Sequence, residues 1–108
     1  MTRSMGDRKG PRSCVAVPDI TAISIPRGVH ARFVLASDGL WDVLGVEAVQ
    51  RIAMSVKDPS VAAYKLSRRA WTIRLNESLY MDDITVVVVD VYPDGFLSQR
   101  AECQCAIT

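Results

Sequence analysis

The sequence predicts one α+β domain in which two helices lie between strands of a mainly antiparallel sheet. Short apolar strands separated by turn residues open the chain, and apolar residues with helical spacing follow them. Near the C-terminus, four consecutive valines, Val86 to Val89, predict a last strand buried on both faces. The expected order is therefore β-β-β-α-α-β, with the helices covering one face of the sheet.

The composition is that of a small folded domain. With 108 residues, of which 49% are hydrophobic, the chain suits one domain and is too apolar for general disorder. Its net charge of +1 gives no sign of an extended surface for nucleic acid or membrane. The sequence has neither an apolar run long enough for a membrane span nor an apolar signal region, so we expect a soluble intracellular protein of the cytoplasm or nucleus. Three cysteines, Cys14, Cys103 and Cys105, lack zinc-site spacing and are expected to be free thiols.

The chain divides into three parts. Glycine, proline and many charges predict an irregular arm over residues 1–13. We place the domain in residues 14–93 and a tail in residues 94–108, after the turn signal that follows the valine run. The predicted strands cover residues 14–17, 20–25, 32–37 and 84–92.

Two helices are predicted between the third and fourth strands. Apolar residues recur at spacings of three and four from Val46 to Val56, as a half-buried helix requires. Asp58 followed by Pro59 predicts the start of the second helix, because aspartate is a favoured N-cap and proline is tolerated at the first helical position. We expect the basic residues of this helix to form a solvated surface face. A docking face for an anionic partner is the less favoured alternative. The residues are Lys65, Arg68, Arg69 and Arg74.

Carboxylates stand at the ends of two apolar strands. Asp38 and Gly39 follow the third strand directly, and Asp82 and Asp83 open the last one. If these strands pair antiparallel, Asp38 and Asp82 meet at one edge of the sheet, whereas a parallel crossover would place them at opposite ends. Crowded carboxylates repel each other unless a cation lies between them, and oxygen ligands favour Mg²⁺ or Mn²⁺.

Three motifs resemble one known family. Residues 36–43 spell Ala-Ser-Asp-Gly-Leu-Trp-Asp-Val, residues 82–85 spell Asp-Asp-Ile-Thr before the valines, and residues 2–7 spell Thr-Arg-Ser-Met-Gly-Asp. In this order they resemble the metal-dependent protein phosphatases, the type 2C Ser/Thr phosphatases. The resemblance covers only about the last third of such a domain, whose fold is a β-sandwich of two mainly antiparallel sheets flanked by helices.

The resemblance implies an enzyme of defined chemistry. Members hydrolyse phosphoserine and phosphothreonine in protein substrates with water activated by two Mg²⁺ or Mn²⁺ ions per complete domain. The upstream phosphate-binding arginine and the Asp-Gly-His-Gly loop of the family are missing from this sequence. The chain alone is therefore expected to be inactive. The alternative is a non-catalytic, pseudophosphatase-like interaction module.

By the same resemblance, Asp38 and Asp82 are metal ligands. Asp83 stands where the family often has asparagine, so a structural hydrogen bond is favoured for it over metal ligation. Asp42 is expected either near an accessory metal, with Gly39 beside the ligands, or as the N-cap of the turn at residues 43–46.

The remaining candidates are expected to be structural. Arg3, Gly6 and Asp7 belong to a loop near the cleft in the family, and we expect them to support the site. His30 is expected to be an exposed bystander in a turn. Because the short chain lacks covering layers for both faces of its valine strand, we also expect the fragment to self-associate. Leu40 and Trp41 are expected in the core beneath the site.

Overall fold

The fold is described by a computed structural model over residues 15–93 and the backbone of residues 103–106. The expected α+β class is confirmed, but the order of described elements is β-α-α-α-β-β rather than β-β-β-α-α-β. The elements are β1 (His30–Ala36), α1 (Asp38–Trp41), α2 (Val46–Met54), α3 (Pro59–Asn76), β2 (Val86–Val91) and β3 (Cys103–Ala106).

The sheet has the order β2-β1-β3, with β1 in the centre. β1 and β2 pair antiparallel, with Ala36 opposite Val86 and Ala31 opposite Val91. The end of β1 therefore lies beside the start of β2, which confirms the antiparallel arrangement expected for these two strands. β3 pairs parallel with the other side of β1.

The two predicted helices are present as α2 and α3. Asp58 caps α3, because its Oδ1 accepts hydrogen bonds from the backbone nitrogens of Ser60 (2.7 Å) and Val61 (3.3 Å). Pro59 occupies the first turn, where its missing N–H leaves no partner unpaired. Among the described residues no helix is both long and apolar enough to cross a membrane.

The core lies between the helices and one face of the sheet. Side chains from β1, α2 and α3 meet there, and Val86 and Val88 of β2 pack against them. On the opposite face Leu35, Val87 and Val89 are 56%, 49% and 42% exposed. The valine run is thus partly buried on one face and open on the other, instead of buried on both, because the helices cover one side only. The core residues are Val34, Leu40, Leu44, Val49, Ala53, Leu66 and Ala70.

The first two predicted strands do not form in the described residues. Val15 makes an isolated bridge and residues 16–29 contain no strand. Val17 and Ile20 are 66% and 87% exposed, so this segment neither joins the sheet nor enters the core. A strand needs a paired neighbour to satisfy its backbone, and the described sheet pairs only β1, β2 and β3. Part of the expected tail, residues 103–106, instead forms β3.

A buried ion pair joins the sheet to the end of α2. Arg32 is 1% exposed and lies opposite Asp90 in the β1–β2 register. Its Nε and Nη2 donate to the two carboxylate oxygens of Asp90 at 2.6 and 2.7 Å. Nη1 donates to the carbonyls of Ala53 and Val56, both at 2.6 Å, and Nη2 also donates to that of Lys57 at 2.5 Å. The guanidinium group therefore donates to backbone carbonyls at and just beyond the end of α2, where the helix itself supplies no further donors.

His30 belongs to the same cluster, so its expected place in an exposed turn is wrong. The residue opens β1, is 6% exposed, and stacks on Tyr92 with ring centroids 4.1 Å apart. Its Nε2 lies 3.5 Å from Oδ1 of Asp90. The strand begins earlier than the hydrophobic pattern indicated, because stacking and pairing with Asp90 replace apolar burial at this end.

Candidate metal centre

The candidate site lies where β1 ends and β2 begins. Asp38 is the first residue of α1, two residues after the end of β1, and Asp82 and Asp83 lie in the segment that leads into β2. Ser37 joins the two segments: its backbone nitrogen donates to the Thr85 carbonyl at 3.0 Å. Its Oγ donates to the Asp83 carbonyl at 2.9 Å and accepts from the Thr85 nitrogen at 3.0 Å. These bonds hold both acidic segments at one edge of the sheet.

Gly39 permits the two segments to approach closely. A Cβ atom at this position would collide with the carbonyl oxygen of Asp83 and stand 3.2 Å from Cγ1 of Ile84. The glycine is buried within α1, so the requirement is for space rather than for an unusual backbone angle. Gly39 therefore sets how near the acidic loop can come to Asp38.

The acidic side chains at this edge face solvent to different degrees. Asp38, Asp42 and Asp83 are exposed, and Asp82 is partly buried. Oδ1 of Asp82 accepts a hydrogen bond from the backbone nitrogen of Asp83 at 2.8 Å, which orients this carboxylate. The described hydrogen bonds of Asp83 run through its backbone, so its structural role does not depend on the side chain.

Oxygen donors of this kind fit a hard divalent cation, but they form an incomplete ligand set. Nowhere in residues 15–93 do three His, Cys, Asp or Glu side chains come together closely enough to hold an ion. Mg²⁺ and Ca²⁺ sites use six or more oxygens, some of them from water. The described acids at this edge therefore do not complete a ligand set for such a cation by themselves.

Arg74 supports the site from beneath, although it was expected on the surface of α3. It is 5% exposed, and its Nε donates to the Gly39 carbonyl at 3.1 Å. Its Nη1 donates to the Tyr80 carbonyl at 2.7 Å, so one guanidinium ties α1 to the loop that carries Asp82. The missed signal was its position four residues after Ala70, in line with the buried stripe of α3.

The same guanidinium approaches Asp42. Nη2 of Arg74 lies 3.8 Å from Oδ2 of Asp42 and has no hydrogen-bond partner among the described residues. Asp42 is the C-cap of α1, and Gly45 is the N-cap of α2, so the expected N-cap role of Asp42 is wrong. The backbone nitrogen of Asp42 donates to the Asp38 carbonyl at 2.9 Å and so closes the single turn of α1.

Other site predictions have different outcomes. Leu40 and Trp41 lie in or against the core, as expected, and Nε1 of Trp41 donates to the Ala36 carbonyl at 3.1 Å. Ser37 belonged to the quoted motif, but its bonds to Asp83 and Thr85 were not predictable from the motif. The three supporting residues predicted near the N-terminus, Arg3, Gly6 and Asp7, lie outside the described residues.

Comparison with known proteins points to one family. The family model described as protein phosphatase 2C matches residues 1–78, well over half of the chain. "Probable protein phosphatase 2C 76" of Arabidopsis thaliana is 35% identical over 94% of the chain and 23% of its own length. "Probable protein phosphatase 2C 65" of the same plant is 39% identical over 82% of the chain and 24% of its own length.

A rice relative agrees with these two. "Probable protein phosphatase 2C 15" of Oryza sativa subsp. japonica is 30% identical over 87% of the chain and 20% of its own length. No solved structure matches. The chain thus spans about a quarter or less of the length of these curated relatives. The family match covers the motif around Asp38, which Ser37 joins to the second acidic motif. The chain belongs to the protein phosphatase 2C family.

Proposed function

We propose that this chain contributes two metal ligands, Asp38 and Asp82, to a metal-dependent protein serine/threonine phosphatase centre. The observation that carries the proposal is the antiparallel β1–β2 register, which brings the end of one strand beside the start of the other. Family membership gives the reaction class, hydrolysis of phosphoserine or phosphothreonine in a protein substrate. Two of the three motifs that carry the resemblance then form one edge instead of two separate turns.

Each described residue near this edge has a distinct role in the proposal. Bound Mg²⁺ or Mn²⁺ would supply Lewis-acid activation of water and of the phosphoryl oxygens. Asp38 and Asp82 would hold the ions, and the Asp82 carboxylate is already oriented by the backbone of Asp83. Ser37 and Arg74 fix the separation of the two acidic segments.

The proposal assigns the remaining ligands to sequence outside this chain. Two carboxylates give a hard cation too few anionic oxygens for tight binding, so the isolated chain is expected to be inactive. A non-catalytic interaction module is the second candidate, favoured by the incomplete ligand set in residues 15–93. The two candidate functions differ in whether Asp38 and Asp82 are needed for metal binding.

The decisive test replaces single acids in the complete domain. Asp38→Asn and Asp82→Asn each remove an anionic ligand while keeping shape, so Mn²⁺ affinity and phosphopeptide hydrolysis should fall together. The loss should exceed the roughly 10- to 100-fold effects typical of residues that only support a ligand. Mn²⁺ affinity is measured by calorimetry, and phosphopeptide hydrolysis is measured across a Mn²⁺ titration. A chelator should abolish the hydrolysis.

Two matched controls accompany these variants. Asp83→Asn should have a much smaller effect, because the structural bonds of Asp83 run through its backbone. Glu47→Gln removes an exposed acid from the first turn of α2 and should leave both readouts unchanged. A severe loss in Asp83→Asn with a harmless Asp82→Asn would shift the ligand by one residue. Full activity in all variants would rule out Asp38 and Asp82 as metal ligands of the enzyme.

A further inference from the structure

Helix α3 carries apolar residues on two opposite faces. Its inner face is formed by Ala62, Leu66 and Ala70, each 0% exposed in the core. On the outside, four large apolar residues remain open to solvent in the described structure. They are Val61, Tyr64, Trp71 and Leu75, with exposures of 42%, 63%, 47% and 55%.

These residues form one continuous line. Together with Arg68, their spacings along α3 alternate between three and four residues, so all five lie on the side opposite the core. Scattered exposed apolar residues are ordinary, but an aligned series with this period is the pattern of a helix that packs against another helix. We name the five residues Val61, Tyr64, Arg68, Trp71 and Leu75 the outer seam.

The charge of α3 restricts what can cover the outer seam. The helix Pro59–Asn76 contains four basic residues and no acidic one, and only Arg74 among the four is buried. Arg68 lies within the seam, and Lys65 lies beside it, both exposed. A second copy of α3 would place like charges against each other, which disfavours self-pairing. An acidic partner would instead form favourable ion pairs with Arg68 and Lys65.

The width of the outer seam also restricts its partner. Its neighbours on α3 include the polar or charged Lys65, Ser67 and Thr72, so the apolar line is narrow. Insertion into a membrane interface requires a broad apolar face, whereas a helix packs along a narrow one. Tyrosine, tryptophan and arginine are the residue types that most often dominate binding energy at protein interfaces, and the seam holds one of each.

We propose that the outer seam of α3 docks an acidic amphipathic helix of a partner protein. The apolar face of that helix would pack on Tyr64, Trp71 and their neighbours, while its flanking carboxylates would pair with Arg68 and Lys65. This surface lies on the opposite side of α3 from the core that supports Asp38. The proposal is thus independent of the phosphatase activity.

The test uses the full chain and a synthetic helix as the probe. The peptide spans about three heptads, with leucine at the packing positions and glutamate at the flanking ones, and its counterpart has lysine for glutamate. Fluorescence anisotropy of the labelled peptides should show binding of the acidic peptide and at least tenfold weaker binding of the basic one. Arg68→Glu should reverse this preference.

A matched charge reversal controls for net charge. Arg51→Glu changes an exposed cation of α2 by the same amount, so it should leave the peptide preference within about twofold of the unchanged chain. Tyr64→Glu places a charge within the seam at a position 63% exposed, where the fold tolerates it, and should abolish binding. Circular dichroism verifies that each variant keeps its helices.

Four outcomes would overturn the proposal. Equal binding of both peptides would show that charge does not select the partner, and preferential binding to phosphatidylglycerol vesicles would assign the seam to a membrane. Concentration-dependent dimers that Tyr64→Glu abolishes would assign it to a second copy. Shielding of Trp71 from a soluble quencher in the complete domain, before any peptide is added, would show that the domain itself covers the seam.

Discussion

The two ends of the β1–β2 pair each rest on a buried arginine, but the two arginines are used differently. Arg32, 1% exposed, donates at least five hydrogen bonds, to both oxygens of Asp90 and to three carbonyls near the end of α2. Arg74, 5% exposed, donates to the carbonyls of Gly39 and Tyr80, and its Nη2 has no hydrogen-bond partner in the part of the chain that the structure describes.

The neighbouring acids differ in the same sense. Asp90 is almost fully enclosed, with a side chain 5% exposed and both oxygens paired with Arg32. Asp38 and Asp83, at the other end, are exposed. A fully satisfied ion pair stabilises one arrangement, whereas carboxylates left open beside a fixed backbone keep their lone pairs free for an external ligand. The first end is therefore structural, and the second is the end for which we propose metal binding.

The largest effect is expected at the structural end. Arg32→Met would leave the buried Asp90 and three carbonyls without their donor. Removing one partner of a buried ion pair costs about 3–5 kcal/mol, and urea unfolding should show a loss of this size. Since Arg32 is remote from the acidic loop, Mn²⁺ affinity of the complete domain should change only through the folded fraction.

Two controls separate the ion pair from general charge effects. Arg51→Met removes an exposed cation and should change the free energy of unfolding by no more than about 0.5 kcal/mol. Arg32→Met combined with Asp90→Leu should recover part of the loss, because no buried charge remains unpaired. A fully folded Arg32→Met that binds Mn²⁺ weakly would contradict the division into a structural and a binding end.

A smaller effect on stability, with a direct effect on metal, is expected from Arg74→Met in the complete domain. The Gly39 carbonyl would lose its donor in a buried position, at about 1–3 kcal/mol for a buried unsatisfied group, and the part-buried bond to the Tyr80 carbonyl would be lost as well. The loop of Asp82 would also lose its tie to Gly39, so Mn²⁺ affinity measured by calorimetry should fall roughly 10- to 100-fold, as for residues that support metal ligands.

Arg74→Lys distinguishes positioning from charge. Lysine keeps the positive charge beside Asp42 but lacks the planar fork that reaches both carbonyls. Mn²⁺ affinity should therefore stay low in this variant. Recovery of full affinity by lysine would show that the charge near Asp42, rather than the tie between Gly39 and Tyr80, is what the site requires.

The contrast between the ends also marks what sequence can predict. Periodicity and the Asp58-Pro59 signal predicted α2 and α3 closely, because their apolar spacing and cap are local. The antiparallel pairing that brings the end of β1 beside the start of β2 was predictable, because strongly apolar runs flank both acidic motifs. Arg32 and Arg74 were missed, because the partners that justify burying them are far along the chain. Residues 14–25 have a strand pattern, but a pattern cannot tell whether a pairing partner is present.

The smallest effect is expected from Ser37→Ala, which tests the join between the two acidic segments. Its hydroxyl donates to the Asp83 carbonyl and accepts from the Thr85 nitrogen, while the backbone bond from Ser37 to the Thr85 carbonyl survives the substitution. The unfolding free energy should therefore fall by only about 1 kcal/mol.

Mn²⁺ affinity is the more telling measurement for this variant. The hydroxyl holds the residue next to Asp82, so its loss should widen the range of positions available to that carboxylate and lower the affinity measurably. Ser55→Ala is the matched control, because the Ser55 hydroxyl donates to Ile52 within its own helix end and touches neither acidic segment. If both variants lost equal stability and neither changed Mn²⁺ affinity, the Ser37 hydroxyl would contribute to stability but not to the position of the acidic loop.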